Sequence, residues 1–174
     1  ATEAAAAQLR RGRIDEAQSI LEQSRLAARQ ARTMLDNLME AARGGWRTAI
    51  VHDAFDAVIE AGLVAAQHRP LAAQRGVTLR IDGPVALQVR TDRWRFNRIV
   101  GNLVQNAVKY TERGEIVVRL APEREALLVS VDDSGPGIAP HHLERIFDEF
   151  YQVGNPERDG SKGAGLGLAM ARRF

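Results

Sequence analysis

The feature that most constrains the fold is one segment whose apolar and polar residues would lie on opposite sides of a helix. Residues 98–111 read Arg-Ile-Val-Gly-Asn-Leu-Val-Gln-Asn-Ala-Val-Lys-Tyr-Thr. At about 100° per residue, the apolar residues cover one side of this helix. The other side carries Asn102, Asn106, Lys109 and Tyr110. Asparagine is a poor helix former, so this face indicates chemistry rather than a plain solvated surface, which is the alternative.

The polar face has suitable groups for a phosphate and a divalent cation. A carboxamide oxygen is a hard ligand that suits Mg²⁺, a cation that retains several waters and phosphate oxygens. The ammonium of Lys109 could contact the phosphates themselves. The helix alone therefore suggests a magnesium and phosphate site without identifying the molecule that carries the phosphate.

Two glycine-containing segments follow this helix. Asp133 ends an apolar run and precedes Gly135 and Gly137, where the backbone could approach a flat ring while the carboxylate accepts from an exocyclic amine. Residues 162–168, Lys-Gly-Ala-Gly-Leu-Gly-Leu, form a loop that enters a helix, whose N–H groups could hold phosphate oxygens. This loop is neither a P-loop, since no Gly-Lys-Ser/Thr ends it, nor a dinucleotide fingerprint, since no strand leads into it.

Periodicity elsewhere predicts an α+β fold. Helices are expected at about 53–75, 93–110 and 142–147, and strands at about 77–82, 85–89, 115–120 and 127–131. Asp92 would cap the second helix, Pro70 would bend or break the first, and the first two strands would form a hairpin around Gly83-Pro84. We expect a two-layer sandwich of one sheet with helices on one face.

The N-terminal part predicts a separate helical domain. Residues 14–42 contain neither proline nor glycine and are rich in helix formers. Residues spaced by seven form a seam that comprises Ile14, Leu21, Ala28 and Leu35 with Ala17, Ser24, Ala31 and Leu38. So narrow a stripe favours a partner helix, although a helix lying on its own domain is the alternative. We expect domains at 1–45 and 46–174, separated at Gly44-Gly45.

Charge and composition exclude several classes of function. Lysine and arginine exceed aspartate and glutamate by 24 − 22 = +2, too small an excess to indicate a nucleic-acid partner. The absence of cysteine excludes disulfides and thiolate metal sites and fits a reducing compartment. No apolar run approaches the roughly 20 residues that span a bilayer, so we expect a cytoplasmic location with any membrane anchor outside this sequence.

In their order, the three segments resemble the N, G1 and G2 boxes of the ATPase superfamily that includes gyrase, Hsp90, histidine kinases and MutL. Residues 102–110 look like the histidine-kinase N box, and residues 146–151, Ile-Phe-Asp-Glu-Phe-Tyr, look like its F box. Gyrase-like ATPases carry a water-activating glutamate one turn before their metal-binding asparagine, and Asn102 stands at that place here. The resemblance implies the Bergerat ATP-binding fold and phosphoryl transfer to a side chain rather than ATP hydrolysis as the main output.

The resemblance implies a role for each matched residue. Asn106, supported by Asn102, would bind Mg²⁺ and the phosphates of ATP, and Lys109 would contact the phosphates, which makes Asn102 and Lys109 the catalytic candidates. Tyr110 would lie beside the nucleotide, and Asp133 would recognise the adenine amino group. The remaining cofactor candidates line the base pocket or flank the lid: Gly135, Gly137, Ile138, Phe150, Gly163, Gly165, Leu166, Gly167 and Leu168. The lid is expected at about 151–163, and its sequence resembles that of hybrid kinases bearing a receiver domain.

Outside these boxes the resemblance concerns partners and missing parts. The N-terminal helix is similar to the second helix of the family's dimerisation and phosphotransfer hairpin, which implies a homodimer and a response-regulator receiver domain as partner. The family's acceptor histidine lies on the first hairpin helix in a His-Glu/Asp-Leu-Arg-x-Pro context. None of His52, His68, His141 or His142 has this context. We therefore expect no activity from this chain alone, and we note that the family's sheet has two further strands after the G2 helix.

Two other classes of function could also use these nucleotide-binding boxes. A nucleotide-binding or dimerising module without kinase activity would be expected to carry damaged boxes, whereas all three look intact. A serine kinase of the anti-sigma type shares the boxes but usually lacks a long dimerising helix.

Overall fold

The computed structural model describes residues 49–154 and 165–174, together with the single positions Ile20, Leu21, Ser24 and Ala28, which are helical and exposed. The rest of the predicted N-terminal helix with the other seam residues, the boundary at 45, Gly163 and most of the expected lid lie outside the described residues. The chain divides into two units, and the fold below is that of the unit formed by Trp46–Gly154 and Gly165–Phe174.

The described residues of this unit form five strands, three α-helices and one 3-10 helix. In chain order these are β1 (Asp53–Asp56), α1 (Ala57–Gln74), β2 (Val77–Asp82), β3 (Gln88–Thr91), α2 (Arg93–Tyr110), β4 (Gly114–Glu123), β5 (Ala126–Asp133), the 3-10 helix (Pro140–His142) and α3 (Gly167–Arg173). The α+β class is confirmed. Among the described residues, no helix is long and apolar enough to cross a membrane.

The strands form two sheets in the described part of the unit, not the single sheet expected. The larger has the order β2-β4-β5, with β2 parallel to β4 and β5 antiparallel to it. The smaller joins β1 and β3 in antiparallel pairing. β4 and β5 form a hairpin, which turns at Arg124 with a φ of 53°.

The predicted hairpin between residues 77–82 and 85–89 is wrong. β2 pairs with β4, so that Val77 lies opposite Gly114, whereas β3 pairs with β1. Val85 is fully exposed and Pro84 has no N–H to donate, so the segment after Gly83 does not continue into a strand beside β2. Alternation identifies the buried face of a strand but not the neighbour with which it pairs.

The first predicted helix begins four residues later than expected, because Asp56 caps it. The Asp56 carboxylate accepts from the N–H groups of Val58 at 2.9 Å and Ile59 at 3.3 Å, and residues 53–56 form β1 instead. Pro70 lies inside α1, which continues to Gln74, so the expected break does not occur. The expected helix at 142–147 is also reduced, to the single 3-10 turn at Pro140–His142.

Helices α1 and α2 share the core with the larger sheet. Buried apolar side chains from α2 and β4 form its centre: Val100, Val104, Val108, Ile116 and Val118. A buried carboxylate also links the two helices, because Glu60 of α1 forms an ion pair with Arg93 and accepts from the Asn97 amide at 2.8 Å. The core therefore holds one face of α2 and leaves the opposite face for the site.

Candidate functional site

Helix α2 presents the polar residues as its sequence predicts. Asp92 caps its N-terminus by accepting from Arg95 N–H at 3.0 Å, and it also accepts from Val51 N–H at 3.3 Å. Burial opposes ionisation of Asp92, but these hydrogen bonds and the nearby Arg95 charge outweigh it and lower its pKa. On the face away from the core, Asn102 is half-buried, and Tyr110 is 45% exposed.

Asn102 meets the start of α3. A Cβ added to Gly167 would lie 3.5 Å from the Oδ1 atom of Asn102, so the glycine backbone rests at ordinary contact distance from the amide. The Nδ2 atom of Asn102 is buried and has no hydrogen-bond partner among the described residues. An unmade hydrogen bond of this kind costs about 1–3 kcal/mol, so the amide offers a donor that an oxygen-rich ligand could satisfy. This contact brings the N and G2 segments together.

Lys109 and Tyr110 lie on the last turn of α2. The Nζ atom of Lys109 donates to the Tyr110 hydroxyl at 2.8 Å and lies 4.5 Å from the centroid of the Tyr110 ring. The aromatic ring thus holds the ammonium at the end of the helix. Asn106 is half-buried one turn earlier on the same face.

The Asp133 segment packs directly against that end of α2. Gly135 N–H donates to the Asp133 carboxylate at 2.8 Å. A Cβ at Gly135 would lie 2.6 Å from that carboxylate oxygen and 3.2 Å from the carbonyl oxygen of Tyr110, so a side chain is excluded there. The N and G1 segments therefore meet at the carbonyl of Tyr110. Beyond them, Gly137 has a φ of +71° and Ile138 is 43% exposed.

The residues that flank 155–164 also meet. Gly165, with a φ of +69°, accepts from Phe150 N–H at 3.0 Å, and a Cβ there would lie 2.9 Å from the Tyr151 carbonyl oxygen. Phe150 is 46% exposed and Phe147 is 37% exposed, so neither ring is buried in the core. Leu166 is buried at the entry to α3, and Leu168 is half-buried on that helix.

Two of the four histidines, His141 and His142, lie side by side with ring centroids 3.9 Å apart, whereas His52 and His68 lie elsewhere in the chain. His52 and His141 are exposed, and burial lowers the pKa of His68 on α1. The Nδ1 atom of His142 lies 2.5 Å from the Tyr151 hydroxyl, and its pKa is lowered by burial and by the charges of His141 and Arg145. Surface or packing roles fit all four.

The site contains one residue that sequence reasoning missed. Ser134 lies between Asp133 and Gly135, and its hydroxyl donates to the Arg113 carbonyl at 2.7 Å and accepts from Glu115 N–H at 3.0 Å. It ties the Asp133 segment to the loop after α2. Its partners are about twenty residues away in the sequence, and a serine in a glycine turn carries no signal of such a contact.

Comparison with known proteins connects this geometry to a family. Residues 91–174, which include α2, the Asp133 turn and α3, match the family described as histidine kinase-, DNA gyrase B- and HSP90-like ATPases. Residues 91–174 therefore form a domain of that ATPase family. The chain is 31% identical over 160 residues to the sensor protein IrlS of Burkholderia pseudomallei strain K96243, an alignment that covers 91% of this chain and 34% of IrlS.

Two solved structures resemble the ATPase domain in three dimensions. Full-length ShkA in complex with AMPPNP matches with a TM-score of 0.70 and 29% identity, covering 81% of this chain and 29% of that one. The nucleotide-free catalytic domain of the histidine kinase ThkA matches with a TM-score of 0.61 and 28% identity, covering 70% of this chain and 77% of that domain. The chain thus carries an ATP-binding catalytic domain of the sensor histidine kinase type. It spans 34% of IrlS and 12% of the sensor histidine kinase RcsC of Escherichia coli K12.

Proposed function

We propose that this chain is the ATP-binding catalytic portion of a sensor histidine kinase, which transfers the γ-phosphoryl of Mg-ATP to a histidine on a hairpin helix for relay to a response regulator. The observation that carries the proposal is the meeting of the three boxes on one helix: Gly167 lies against Asn102, and Gly135 lies against the end of α2. The similarity to the sensor histidine kinase RcsC and to ShkA, solved in complex with AMPPNP, supports it.

The donor set fits a metal that is only partly held by protein. Among the described residues, no group of three or more histidine, aspartate or glutamate side chains could hold a metal ion. Asn106 would therefore supply an amide oxygen, and phosphate oxygens and water would complete the shell, as Mg²⁺ prefers. When bound, the metal would neutralise charge on the phosphates.

The remaining candidates divide between the two ends of the nucleotide. Asp133, Gly135, Gly137 and Ile138 would form the base pocket, with Tyr110 beside it. Asn102 and Lys109 would contact the phosphates, where the unpartnered Nδ2 of Asn102 has a donor to offer. The segment of Phe150 and the loop of Gly163, Gly165, Leu166, Gly167 and Leu168 would flank the lid and approach the phosphates.

Asn102 favours transfer to a side chain over hydrolysis. A carboxamide can orient a group and donate to an oxygen, but it cannot take a proton from water at neutral pH. A neutral imidazole attacks through its unprotonated ring nitrogen, so no proton has to be removed from the attacking atom; ADP leaves, and the proton on the other ring nitrogen can pass to water afterwards. Catalysis by this chain would then rest on positioning and charge neutralisation by Lys109 and the metal.

Partners and location follow from the same proposal. Residues 1–45 would form a dimer with a second copy, and a receiver domain would accept the phosphoryl group. The domain would act in the cytoplasm, either free or as the cytoplasmic part of a membrane-anchored sensor. None of the four histidines has the acceptor context, so the acceptor would come from another segment or chain.

The kinase proposal can be separated from a nucleotide-binding module without kinase activity. The chain would be mixed with a hairpin that carries the acceptor histidine and with ATP labelled at the γ-phosphate. We expect acid-labile, alkali-stable label on the hairpin, and none on a matched hairpin whose histidine is replaced by alanine. ATP binding without any transfer would favour the module instead.

A further inference from the structure

Arg75, which lies outside the N, G1 and G2 boxes, joins the C-terminal ends of the two core helices. Arg75 is the C-terminal cap of α1, directly before Gly76, whose φ is +70°. Its Nη1 atom donates to the carbonyl of Val108 at 2.8 Å and to that of Lys109 at 2.9 Å. These carbonyls belong to the last turn of α2, and Arg75 lies 33 residues earlier in the chain than the nearer of them.

The charge of Arg75 suits this place. The last carbonyls of a helix have no intrahelical donor and carry its partial negative charge, so a guanidinium there satisfies both needs. Apart from Arg75, the Thr111 N–H reaches back to the Ala107 carbonyl at 2.9 Å and closes the preceding turn. The carbonyls of residues 108 and 109 are thus held by a side chain from another helix.

The last turn of α2 leads directly into the base-binding segment. The Tyr110 carbonyl is the atom against which Gly135 packs, and Gly135 N–H in turn holds the Asp133 carboxylate. Buried Val108 anchors the inner side of this last turn, and Arg75 holds its free carbonyls; Asn102 lies about two turns earlier, away from the carbonyls that Arg75 holds. A change at Arg75 should therefore move the base side of the site more than the phosphate side.

We infer that Arg75 is a positioning residue for adenine recognition, acting through the last turn of α2 on Gly135 and Asp133. This inference rests on the proposed function, since it assumes that Asp133 accepts from the adenine amino group. Arg75 would thus influence which base is bound through the backbone that it holds, without a contact between its guanidinium and the nucleotide.

The test compares two nucleotides on the full chain at a temperature where every variant is folded. Inosine triphosphate carries a carbonyl where ATP has the exocyclic amine, so the ratio of the two dissociation constants reports recognition by Asp133. Arg75→Ala loses the two hydrogen bonds that hold the last turn of α2, which should displace Gly135 and Asp133. We expect this displacement to weaken ATP binding by about tenfold. Inosine triphosphate binding should change much less, and Arg75→Lys should fall between Arg75→Ala and the unchanged chain.

Arg90→Ala is the matched control, because Arg90 is an exposed arginine on β3 and its loss removes the same charge. We expect it to leave both constants unchanged. Arg75→Ala that binds ATP normally, or that loses both nucleotides equally, would overturn the inference while leaving the proposed function intact. An unchanged chain that does not prefer ATP to inosine triphosphate would contradict the adenine role of Asp133 and the inference together.

Discussion

The two ends of the site are built differently. At the base end, Gly135 packs against the backbone of α2, whose inner face is buried in the core. At the root of the expected lid, one backbone hydrogen bond joins Phe150 to Gly165, and the side-chain contacts around it lie on the surface: Arg173 pairs with Glu149 at 2.9 Å, and Arg145 lies over the Tyr151 ring at 4.3 Å. The base pocket is therefore formed by the fold itself, whereas the side-chain contacts that support the lid root cost little to break.

The largest expected effect tests the base end. Gly135→Ala would place a methyl group within 2.6 Å of the Asp133 carboxylate and 3.2 Å from the Tyr110 carbonyl. Overpacking of this kind costs about 1–3 kcal/mol, so ATP binding should weaken by about 10- to 100-fold in titration calorimetry. Gly62→Ala is the control, since Gly62 lies on α1 with open space around it and its substitution should leave ATP binding unchanged. Normal ATP affinity in Gly135→Ala would show that the base end is not rigid.

The link between the core helices gives the next effect. The hydrogen bond from Arg93 lowers the pKa of Glu60 despite the opposing effect of burial, with a further contribution from Asn97. Ionised Glu60 therefore adds to the free energy of unfolding. This stabilisation is fully present above the pKa that Glu60 has in the unfolded chain, and it is lost as the pH falls through the lower pKa that Glu60 has in the folded domain.

Glu60→Gln should accordingly reduce the free energy of unfolding by about 1–3 kcal/mol at neutral pH, because Arg93 loses its charged partner. The difference from the unchanged chain should shrink as acid protonates Glu60. Urea unfolding at neutral and acidic pH measures both values. A constant difference across that range would mean that Glu60 is not ionised in the folded domain.

A smaller effect tests the lid root. A Cβ at Gly165 would lie 2.9 Å from backbone atoms of both Phe150 and Tyr151, and the φ of +69° disfavours alanine as well. Because one backbone hydrogen bond and exposed side chains hold Phe150 and Tyr151 against Gly165, this segment can shift more easily than the core-backed base end, and we expect Gly165→Ala to weaken Mg-ATP binding by about tenfold or less. An effect larger than that of Gly135→Ala in the same calorimetric assay would reverse the order of rigidity proposed for the two ends.

The smallest expected effect is at the periphery of that root. Arg173 and Glu149 are 53% and 41% exposed, and exposed pairs contribute about 0–1 kcal/mol. Glu149→Gln should change the urea midpoint only slightly and leave ATP affinity within about twofold of normal. A double substitution of both partners, compared with each single one, measures their coupling. A coupling energy well above this range would show that the pair contributes substantially to the stability of the domain.

The two ends also differ in how far the sequence predicts them. The 3.6-residue pattern of α2 predicts which face carries Asn102 and Lys109, because the apolar and polar sides of an amphipathic helix can be identified from its own sequence. The order of the three boxes along the chain predicts that this face belongs to a nucleotide site. Pairing of β2 with β4 is not predicted, since alternation is the same for any partner strand. The contacts of Ser134 and Arg75 join residues far apart in the sequence, so only the folded chain brings them together.

The central claim is that the polar face of α2 and the Asp133 turn form one ATP site, and Mg-ATP binding tests it most directly. Titration calorimetry would compare the unchanged chain with Asn106→Asp, which would place a charge beside the phosphates, and with Asp133→Asn, which would remove the carboxylate acceptor. We predict that the unchanged chain binds and that each variant binds at least about tenfold more weakly. Equal affinity in all three would contradict the assignment of the site.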